Sequence, residues 1–316
     1  MNDDGYGSML ASLLSSTSNE VPTSTFVPQL TREWPVTDLE AFRAELLQWL
    51  RESWDPSVTV REWWARLAAA GLTMPTWPRS YGGMSAPTAV QQLIETVFAS
   101  TGMLGPPLGG IGLRQIGPAL RQHATLDQCE RMLRPLMKGL DSWCVLLAEP
   151  DHEMAQADTT AVADGTTVTI DGDKSWSPDV DGAAWALVLA VTEPTAHIKR
   201  RMTCFAVDMA QPGVQVVIDE KADTRIVRLQ SVAADRRDAI GGEGAGWAVA
   251  QTVIAHAQTS LAGRIRRGVV DVAPGEAAGN LDIRVDEAVA AYQARAKRNV
   301  RRDQPGSDRR NSITCF

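Results

Sequence analysis

Apolar residues recur at three- and four-residue spacing through the first 140 positions of the chain, which is the pattern of amphipathic helices. A Pro- and Gly-rich stretch at 75–83 interrupts the pattern and predicts an extended, turning segment. We interpret the tryptophans of this region mainly as packing residues. The predicted helical segments are Leu39–Leu50, Trp63–Ala68, Thr88–Phe98, Ile116–His123 and Leu126–Met137.

The middle of the chain instead carries short apolar or alternating runs separated by Gly, Pro and Asp, as is typical of β-strands. The stretch from Trp143 to Pro178 opens this region, and the run 162–170, divided at Asp164-Gly165, predicts a hairpin. These runs indicate a compact antiparallel barrel or sandwich. Further strands are expected at Ala184–Thr192, Met202–Asp208, Val214–Ile218 and Arg225–Leu229.

Helical patterning returns after a glycine cluster at 241–246, from Trp247 to about 267 and from Val285 to about 302. The glycines are not interpreted as a dinucleotide fingerprint, because no βαβ unit surrounds them. The chain therefore predicts an α+β fold that is mainly helical. Its expected parts are a flexible arm (1–30), an N-terminal helical domain (31–140), a middle β domain (141–235) and a C-terminal helical domain (236–316).

The composition of the chain argues against several classes of function. The net charge of -7 argues against a general nucleic-acid binder, which needs a basic surface to neutralise phosphates. The four cysteines lack metal-like spacing and are expected to be reduced thiols. No apolar run approaches the ~18 residues that span a bilayer, and acidic residues stand where a signal peptide is basic. These features predict a cytoplasmic protein without a membrane span.

Six short motifs occur in an order that resembles the acyl-CoA dehydrogenase family. They are WPRSYGG at 77–83, IGPALRQHATLDQ at 116–128, WCVLLAEP at 143–150, DGTTVTIDGDKSW at 164–176, FAVDMAQPGV at 205–214 and GEGAGW at 242–247. Each motif alone is weak evidence, whereas the six together over about 42–267 are specific. The resemblance implies a helical N-terminal domain, a middle antiparallel β-barrel domain and a C-terminal helical domain.

The resemblance also implies FAD-dependent α,β-desaturation of an acyl-CoA, with a carboxylate as the base and hydride transfer to the flavin. Electron-transfer flavoprotein is the implied electron acceptor. The residues that match flavin-site positions of the family are Trp143, Glu149, Trp176 and Ser177.

Several family features are missing from this sequence. The Gly-Ser-Asp loop that follows Glu-Pro in the family is replaced by the shorter 151–158 segment, and the next hydroxyl position of the Trp-x-Thr segment is Pro178. The catalytic glutamate position on the first C-terminal helix is occupied by Ala257, so no catalytic residue is assigned. The other known base position, and a Gln/Gly-rich flavin element, would lie beyond Phe316.

These departures make the chain similar to the shortened subunit of actinobacterial heterotetrameric members that act in steroid and cholesterol catabolism. The expected partner is a full-length homologue in an α2β2 assembly, which would supply the base and most FAD contacts. Two alternatives stay open. One is a self-sufficient enzyme with a relocated base such as His256 or Glu153, and the other is a non-catalytic scaffold or CoA-thioester-binding protein. The basic tail, 295–310, is either a solvated face or a partner-facing surface.

Overall fold

A computed structural model describes residues 38–108, 110–150, 152–219, 224–263 and 281–302. The predicted flexible arm, 1–30, lies outside these ranges. The helices are α1 (Leu39–Ser53), α2 (Val60–Ala69), α3 (Thr88–Thr101), α4 (Gly117–His123), α5 (126–137), α6 (Gly246–Gly263) and α7 (Val285–Arg302). The strands are β1 (Trp143–Leu146), β2 (Thr160–Asp164), β3 (Thr167–Ser175), β4 (Trp185–Val191), β5 (Met202–Asp208), β6 (Val214–Asp219), β7 (Thr224–Asp235) and β8 (Ala239–Ile240).

The first helices begin at side-chain caps and bury one apolar face each. Asp38 accepts hydrogen bonds from two backbone N–H groups at the start of α1, and Thr59 and Glu62 form a capping box at the start of α2. The indole N–H of Trp63 donates to the Leu104 carbonyl at 2.7 Å, so this buried tryptophan is also satisfied. The prediction that these tryptophans pack in the core is confirmed.

A π-helical turn leads into α4 and a second one lies within α5, each just ahead of a proline. The turn Gly112–Ile116 precedes Pro118, and the turn Cys129–Leu133 precedes Pro135. Proline lacks an N–H and its ring clashes with the carbonyl four residues earlier, and a wider turn relieves that clash. Because of its π turn, the first of these helical segments starts at 112, four residues before the predicted start.

The β domain is one eight-stranded sheet in the order β6-β7-β3-β2-β4-β5-β8, with β1 added alongside β4. The hairpin predicted at Asp164-Gly165 is confirmed, because β2 and β3 pair antiparallel across that turn. Most other pairings are antiparallel as well. However, β1 runs parallel to β4, with Trp143 opposite Trp185, and β2 meets β4 in a single parallel contact. These parallel pairings were not part of the predicted antiparallel arrangement.

Alternate residues of β1, β4 and β5 pack into two different clusters on the two sides of the sheet. One cluster joins the sheet to α4, α5 and α6 and is called here the helix–sheet cluster; it includes Trp143 and Leu187. The other lies among the strands and is called the strand cluster; it includes Cys144 and Val188. The period of two explains the separation, since neighbouring residues in a strand face opposite sides.

The last helix, α7, packs against the N-terminal helices rather than against α6. Residues 281–286 run beside 56–61, and the backbone N–H of Val60 donates to the Ile283 carbonyl while that of Val285 donates to the Val58 carbonyl. Leu281, Val285 and Ala288 are buried in the same apolar cluster as Trp63. Residues 281–288 therefore complete the apolar core of α1, α2 and α3, which together are called here the first helical layer.

The predicted fold class, a helical N-terminal domain followed by a β domain and a helical C-terminal region, is confirmed. The exact domain boundaries stay predictions. Within the described ranges, no helix is both long enough and apolar enough to cross a membrane.

Candidate functional site

The segments that follow β1 and β3 meet, and they carry three of the four expected site residues, Glu149, Trp176 and Ser177. The backbone N–H of Ser175 donates to the Ala148 carbonyl at 2.9 Å, which ties the chain after β1 to the end of β3. This contact places Glu149 beside Lys174 and close in sequence to Trp176 and Ser177. The fold thus brings two of the motifs that carry the resemblance, 143–150 and 164–176, into contact.

Glu149 is held by three donors from within the chain. Its Oε1 accepts from Lys174 Nζ at 2.8 Å and from the Thr159 N–H at 3.0 Å, and its Oε2 accepts from the Asp158 N–H at 2.7 Å. Glu149 is only 8% exposed and Lys174 is fully buried. The carboxylate therefore joins the end of β1, the segment before β2 and strand β3 as a buried ion pair.

The surroundings of Glu149 keep it ionised. Burial by itself raises the pKa of its carboxyl, but the Lys174 ammonium and the backbone N–H of Asp158 outweigh burial and lower that pKa to about 2. A general base works best with a pKa near the operating pH. Glu149 is consequently a structural anion and a poor proton acceptor.

Two acidic side chains of the segment that replaces the Gly-Ser-Asp loop, Glu153 and Asp158, face solvent. The segment contains a short 3₁₀ turn, Met154–Gln156, and its Ala157 carbonyl accepts a hydrogen bond from Arg201. The Asp158 side chain is 76% exposed and lies 3.3 Å from His152 Nε2, and Glu153 is exposed too. Both side chains therefore face solvent and do not line an enclosed pocket.

Trp176 follows β3 and packs against the strand cluster. The guanidinium of Arg225 lies over its ring, with Cζ 4.2 Å from the ring centroid, and the same guanidinium donates two hydrogen bonds to Asp181. Ser177 comes next, and its carbonyl accepts from the Val180 N–H in the 3₁₀ turn that begins at Pro178.

Trp143 lies on the other side of the sheet from Trp176. It belongs to the helix–sheet cluster and stacks on Trp185, with ring centroids 6.0 Å apart and an interplanar angle of 23°. Its indole N–H is buried and has no hydrogen-bond partner among the described residues. Trp143 and Trp176 therefore do not share one surface, although both were predicted to contact the flavin.

Helix α6 carries the position that the resemblance assigns to the base. Val249, Ala250 and Val253 are buried against the sheet and α4, and Ala257, one turn further on, is half-buried on the same side. The methyl group of Ala257 cannot accept a proton. Helical spacing places Ala257 on the inward side of α6, as it does Val253. The position assigned to the base therefore faces inward but carries no carboxylate.

A shallow groove between α4 and α6 contains His123 and His256, which the sequence motifs did not predict to lie together. The groove has a volume of about 370 Å³ and is lined by Gln122, His123, Ala248, Gln251, Thr252, Ala255 and His256. His123 Nε2 lies 2.8 Å from the Thr252 hydroxyl, and burial lowers the pKa of His123. The signal that could have found the groove is the four-residue spacing of Thr252 and His256, which places both on one helix face.

A flavin is the cofactor that the resemblance implies, but the groups expected to contact it have other partners or no donor. The Glu149 carboxylate is bound by Lys174 and two backbone amides, the Trp176 ring is covered by Arg225, and Pro178 has no N–H to offer. As arranged, these residues do not make a complete flavin site. Within the described ranges, no group of three or more His, Cys, Asp or Glu side chains could hold a metal ion.

Comparison with known families matches two models over more than half of the chain. Residues 38–140 match the model described as "Acyl-CoA dehydrogenase, N-terminal domain", and residues 144–228 match "Acyl-CoA dehydrogenase, middle domain". These ranges correspond to the first helical layer with α4 and α5, and to most of the sheet.

Individual relatives agree with this match. The chain is 33% identical over 203 residues to acyl-CoA dehydrogenase FadE34 of Mycobacterium tuberculosis, covering 62% of this chain and 28% of FadE34. It is 29% identical over 240 residues to acyl-CoA dehydrogenase IpdE1 of the same species, covering 69% of this chain and 62% of IpdE1. It therefore spans less than two thirds of the length of either relative.

A solved structure named the Tcur3481-Tcur3483 steroid ACAD, in its G363A variant, has the same fold. The TM-score is 0.55 at 21% sequence identity, and the match covers 84% of this chain and 70% of the other. At that identity the likeness concerns the fold alone.

Proposed function

This chain belongs to the acyl-CoA dehydrogenase family, and from that premise we propose that it is one subunit of a hetero-oligomeric, flavin-dependent acyl-CoA dehydrogenase. A full-length homologue, in an α2β2 assembly, supplies the catalytic base and most contacts to FAD. The complex desaturates an acyl-CoA between its α and β carbons. This chain contributes the interface and part of the cofactor or substrate pocket.

The observation that carries this proposal is that neither the position assigned to the base nor the buried carboxylate beside it in the fold offers a usable proton acceptor. Ala257 occupies the inward position of α6, and Glu149 is bound by Lys174 and two backbone amides with its pKa lowered to about 2. Abstraction of an α-proton needs a positioned acceptor with a suitable pKa. A base from a second subunit meets that need without any change in this chain.

Helix α6 supports the need for a partner. It has no Asp, Glu, Lys or Arg over its 18 residues, and Ile254 on its outer side is 40% exposed. Helices α1 and α7, by contrast, carry exposed charged residues, such as Glu40 and Arg43 in α1 and Glu287 in α7. A helix with apolar residues on most sides is usually covered by protein, so the outer side of α6 is the proposed contact with the partner subunit.

The proposed substrate is a CoA thioester of a bulky acyl group such as a steroid side chain. The support is the likeness to the structure named a steroid ACAD, together with the two-protein composition in that name. Electron-transfer flavoprotein is the proposed acceptor of the electrons. Relative turnover of a steroid-side-chain CoA thioester and a short straight-chain acyl-CoA tests the substrate; faster turnover of the short thioester would contradict it.

The test of partner dependence is to purify the chain alone, the candidate full-length homologue alone, and the two together. Flavin per chain is measured from the absorbance near ~450 nm and dehydrogenase turnover is measured on each sample. The expected result is one flavin for every two chains in the complex, with turnover that needs both proteins. One flavin on every chain, or full turnover by this chain alone, would overturn the proposal.

One observation favours a second candidate, a self-sufficient dehydrogenase with a relocated base. His256 is adjacent to Ala257 and lines the same groove as His123, and a neutral imidazole can accept a proton. Replacing His256 with Gln in a chain that is active alone then abolishes turnover, whereas unchanged turnover removes this candidate. A third possibility, a non-catalytic scaffold, is excluded if the complex loses activity when this chain is removed.

A further inference from the structure

Arg225 is fixed over Trp176 by two independent contacts. Its guanidinium stacks on the indole with Cζ 4.2 Å from the ring centroid. Its two terminal nitrogens donate to the two carboxylate oxygens of Asp181 at 3.0 and 3.1 Å. These three residues are called here the Arg225 cap.

The cap joins three separate parts of the β domain. Trp176 lies just after β3, Asp181 follows the 3₁₀ turn Pro178–Val180, and Arg225 is the second residue of β7. The next residue of β7, Ile226, pairs with Ser175 of β3, so the backbone register places the arginine beside the tryptophan. The position of Arg225 is thus determined by strand pairing as well as by its side-chain contacts.

The indole beneath the cap is otherwise suited to stacking. Trp176 is half-buried and rests on the strand cluster, so its ring is held firmly. A guanidinium is planar and stacks on aromatic rings as another flat ring does. Arg225 therefore occupies the surface that a planar heterocycle would need in order to stack on Trp176.

We propose that Arg225 biases which chain of the assembly holds the flavin, because its guanidinium covers Trp176 and competes with an isoalloxazine ring for that surface. This inference rests on the proposed function, in which the partner subunit makes most of the flavin contacts. It adds the residue that disfavours the stacking of a second flavin on this chain.

Both members of the ion pair in the cap have partly exposed side chains, Arg225 by 43% and Asp181 by 56%, so displacing the guanidinium costs little free energy. Exposed ion pairs and exposed cation–π contacts are individually weak. The apparent affinity of a ligand falls in proportion to the fraction of chains that are open. Together these contacts correspond to roughly ten-fold weaker binding of a flat ring than an uncovered Trp176 would give.

A strand neighbour offers a matched control. Arg228 lies three residues further along β7, is 40% exposed and forms a bidentate pair with Asp173 at 3.0 and 2.9 Å. It forms the same type of ion pair as Arg225, whereas the guanidinium that lies over Trp176 is that of Arg225. Replacing Arg228 removes a guanidinium with a comparable bidentate ion pair and leaves Arg225 in place over Trp176.

The test uses the full chain and FMN as the probe, because FMN carries the isoalloxazine ring without the adenosine half of FAD. Binding is measured by fluorescence titration of wild type, Arg225→Ala, Asp181→Asn and Arg228→Ala, each checked for folding by circular dichroism. The expected result is about ten-fold tighter FMN binding by Arg225→Ala, a smaller gain by Asp181→Asn, and wild-type binding by Arg228→Ala. The gain disappears when Trp176→Leu is added to Arg225→Ala.

Equal FMN affinity of wild type, Arg225→Ala and Arg228→Ala would overturn the proposal, as would a gain that persists without Trp176. If Arg225→Ala does not fold, FMN affinity is measured for Arg225→Lys instead. A lysine ammonium cannot stack on an aromatic ring as a planar group and cannot form a bidentate pair with a carboxylate. Flavin counting on the wild-type complex is a separate measurement. One flavin on every chain would contradict both proposals, whereas turnover that does not need this chain would contradict the proposed function while the FMN affinities still uphold the Arg225 cap.

Discussion

Replacing Lys174 with Met breaks the buried ion pair that joins β1, the segment before β2 and β3. The variant leaves the Glu149 carboxylate, 8% exposed, with two backbone N–H donors and no countercharge. The native contacts lower the Glu149 pKa from 4.5 to about 2, and at 1.36 kcal/mol per unit this corresponds to roughly 3 kcal/mol. Loss of one partner of a buried pair typically costs ~3–5 kcal/mol. We expect Lys174→Met to lower the free energy of unfolding by about 3 kcal/mol.

The assay is urea denaturation followed by tryptophan fluorescence, at pH 7 and at pH 5. Lys138→Met, at an exposed lysine, is the matched control and should change the free energy of unfolding by less than ~0.5 kcal/mol. The double variant Glu149→Gln/Lys174→Met keeps an acceptor for the backbone amides and removes the charge. It should regain about half of the lost stability, which a double-mutant cycle measures.

The pH dependence follows from the direction of the pKa shift. A lowered carboxyl pKa contributes stability that is present above the unfolded pKa of 4.5 and is lost only as the pH falls through about 2. In wild type, Glu149 therefore contributes no pH dependence between pH 5 and pH 8. In Lys174→Met the carboxyl pKa is higher, so the deficit shrinks at pH 5. A loss below ~1 kcal/mol, or a double variant no more stable than Lys174→Met, would refute the reasoning.

Three further changes test other parts of the structure. Ala257→Glu puts a carboxyl on the inward side of α6, where burial raises its pKa, so we expect a loss of ~1–3 kcal/mol at pH 7 that becomes smaller in melts at pH 5. Gly172→Ala places a Cβ 2.5 Å from Thr159 Oγ1 and should lower the melting temperature more than the control Gly165→Ala, whose Cβ meets nothing within 4 Å; equal losses would contradict the close packing. Ile254→Asp on the outer side of α6 should weaken association with the partner subunit at least ten-fold with little change in the melting temperature of the chain, whereas Leu126→Asp, at a residue 79% exposed, should not; light scattering and titration calorimetry distinguish the two.

Local sequence patterns predicted the elements whose signals are contained in a few consecutive residues. The Asp164-Gly165 turn was enough to predict the β2–β3 hairpin, and the apolar spacing after Pro274 predicted α7 with both of its observed ends, Val285 and Arg302. The parallel pairing of β1 with β4 could not be found this way. It depends on how Trp143 and Trp185, 42 residues apart, meet in the packed sheet.

The site was predicted less completely, for two physical reasons. Glu149 was expected to face a cofactor, yet the period of two along β3 already places Lys174 on the inward side with Val168 and Ile170, and a buried lysine needs a carboxylate partner. That signal was present in the sequence. The contact of Arg225 with Trp176 had no such signal, because an arginine at the start of a strand resembles any solvated charge until the strand register is known.

The backbone hydrogen bonds between residues 281–286 and 56–61 have a consequence for folding during synthesis. About 220 residues separate Val60 from Leu281, and at roughly 5–20 residues per second the ribosome needs about 10–45 s to deliver the second after the first. During that interval the apolar surface around Trp63 has no covering from α7. Contacts between such distant residues form slowly and are costly in loop entropy. The first helical layer is thus the first part of the fold to be synthesised and among the last to be completed, which makes it the surface that chaperones are expected to protect.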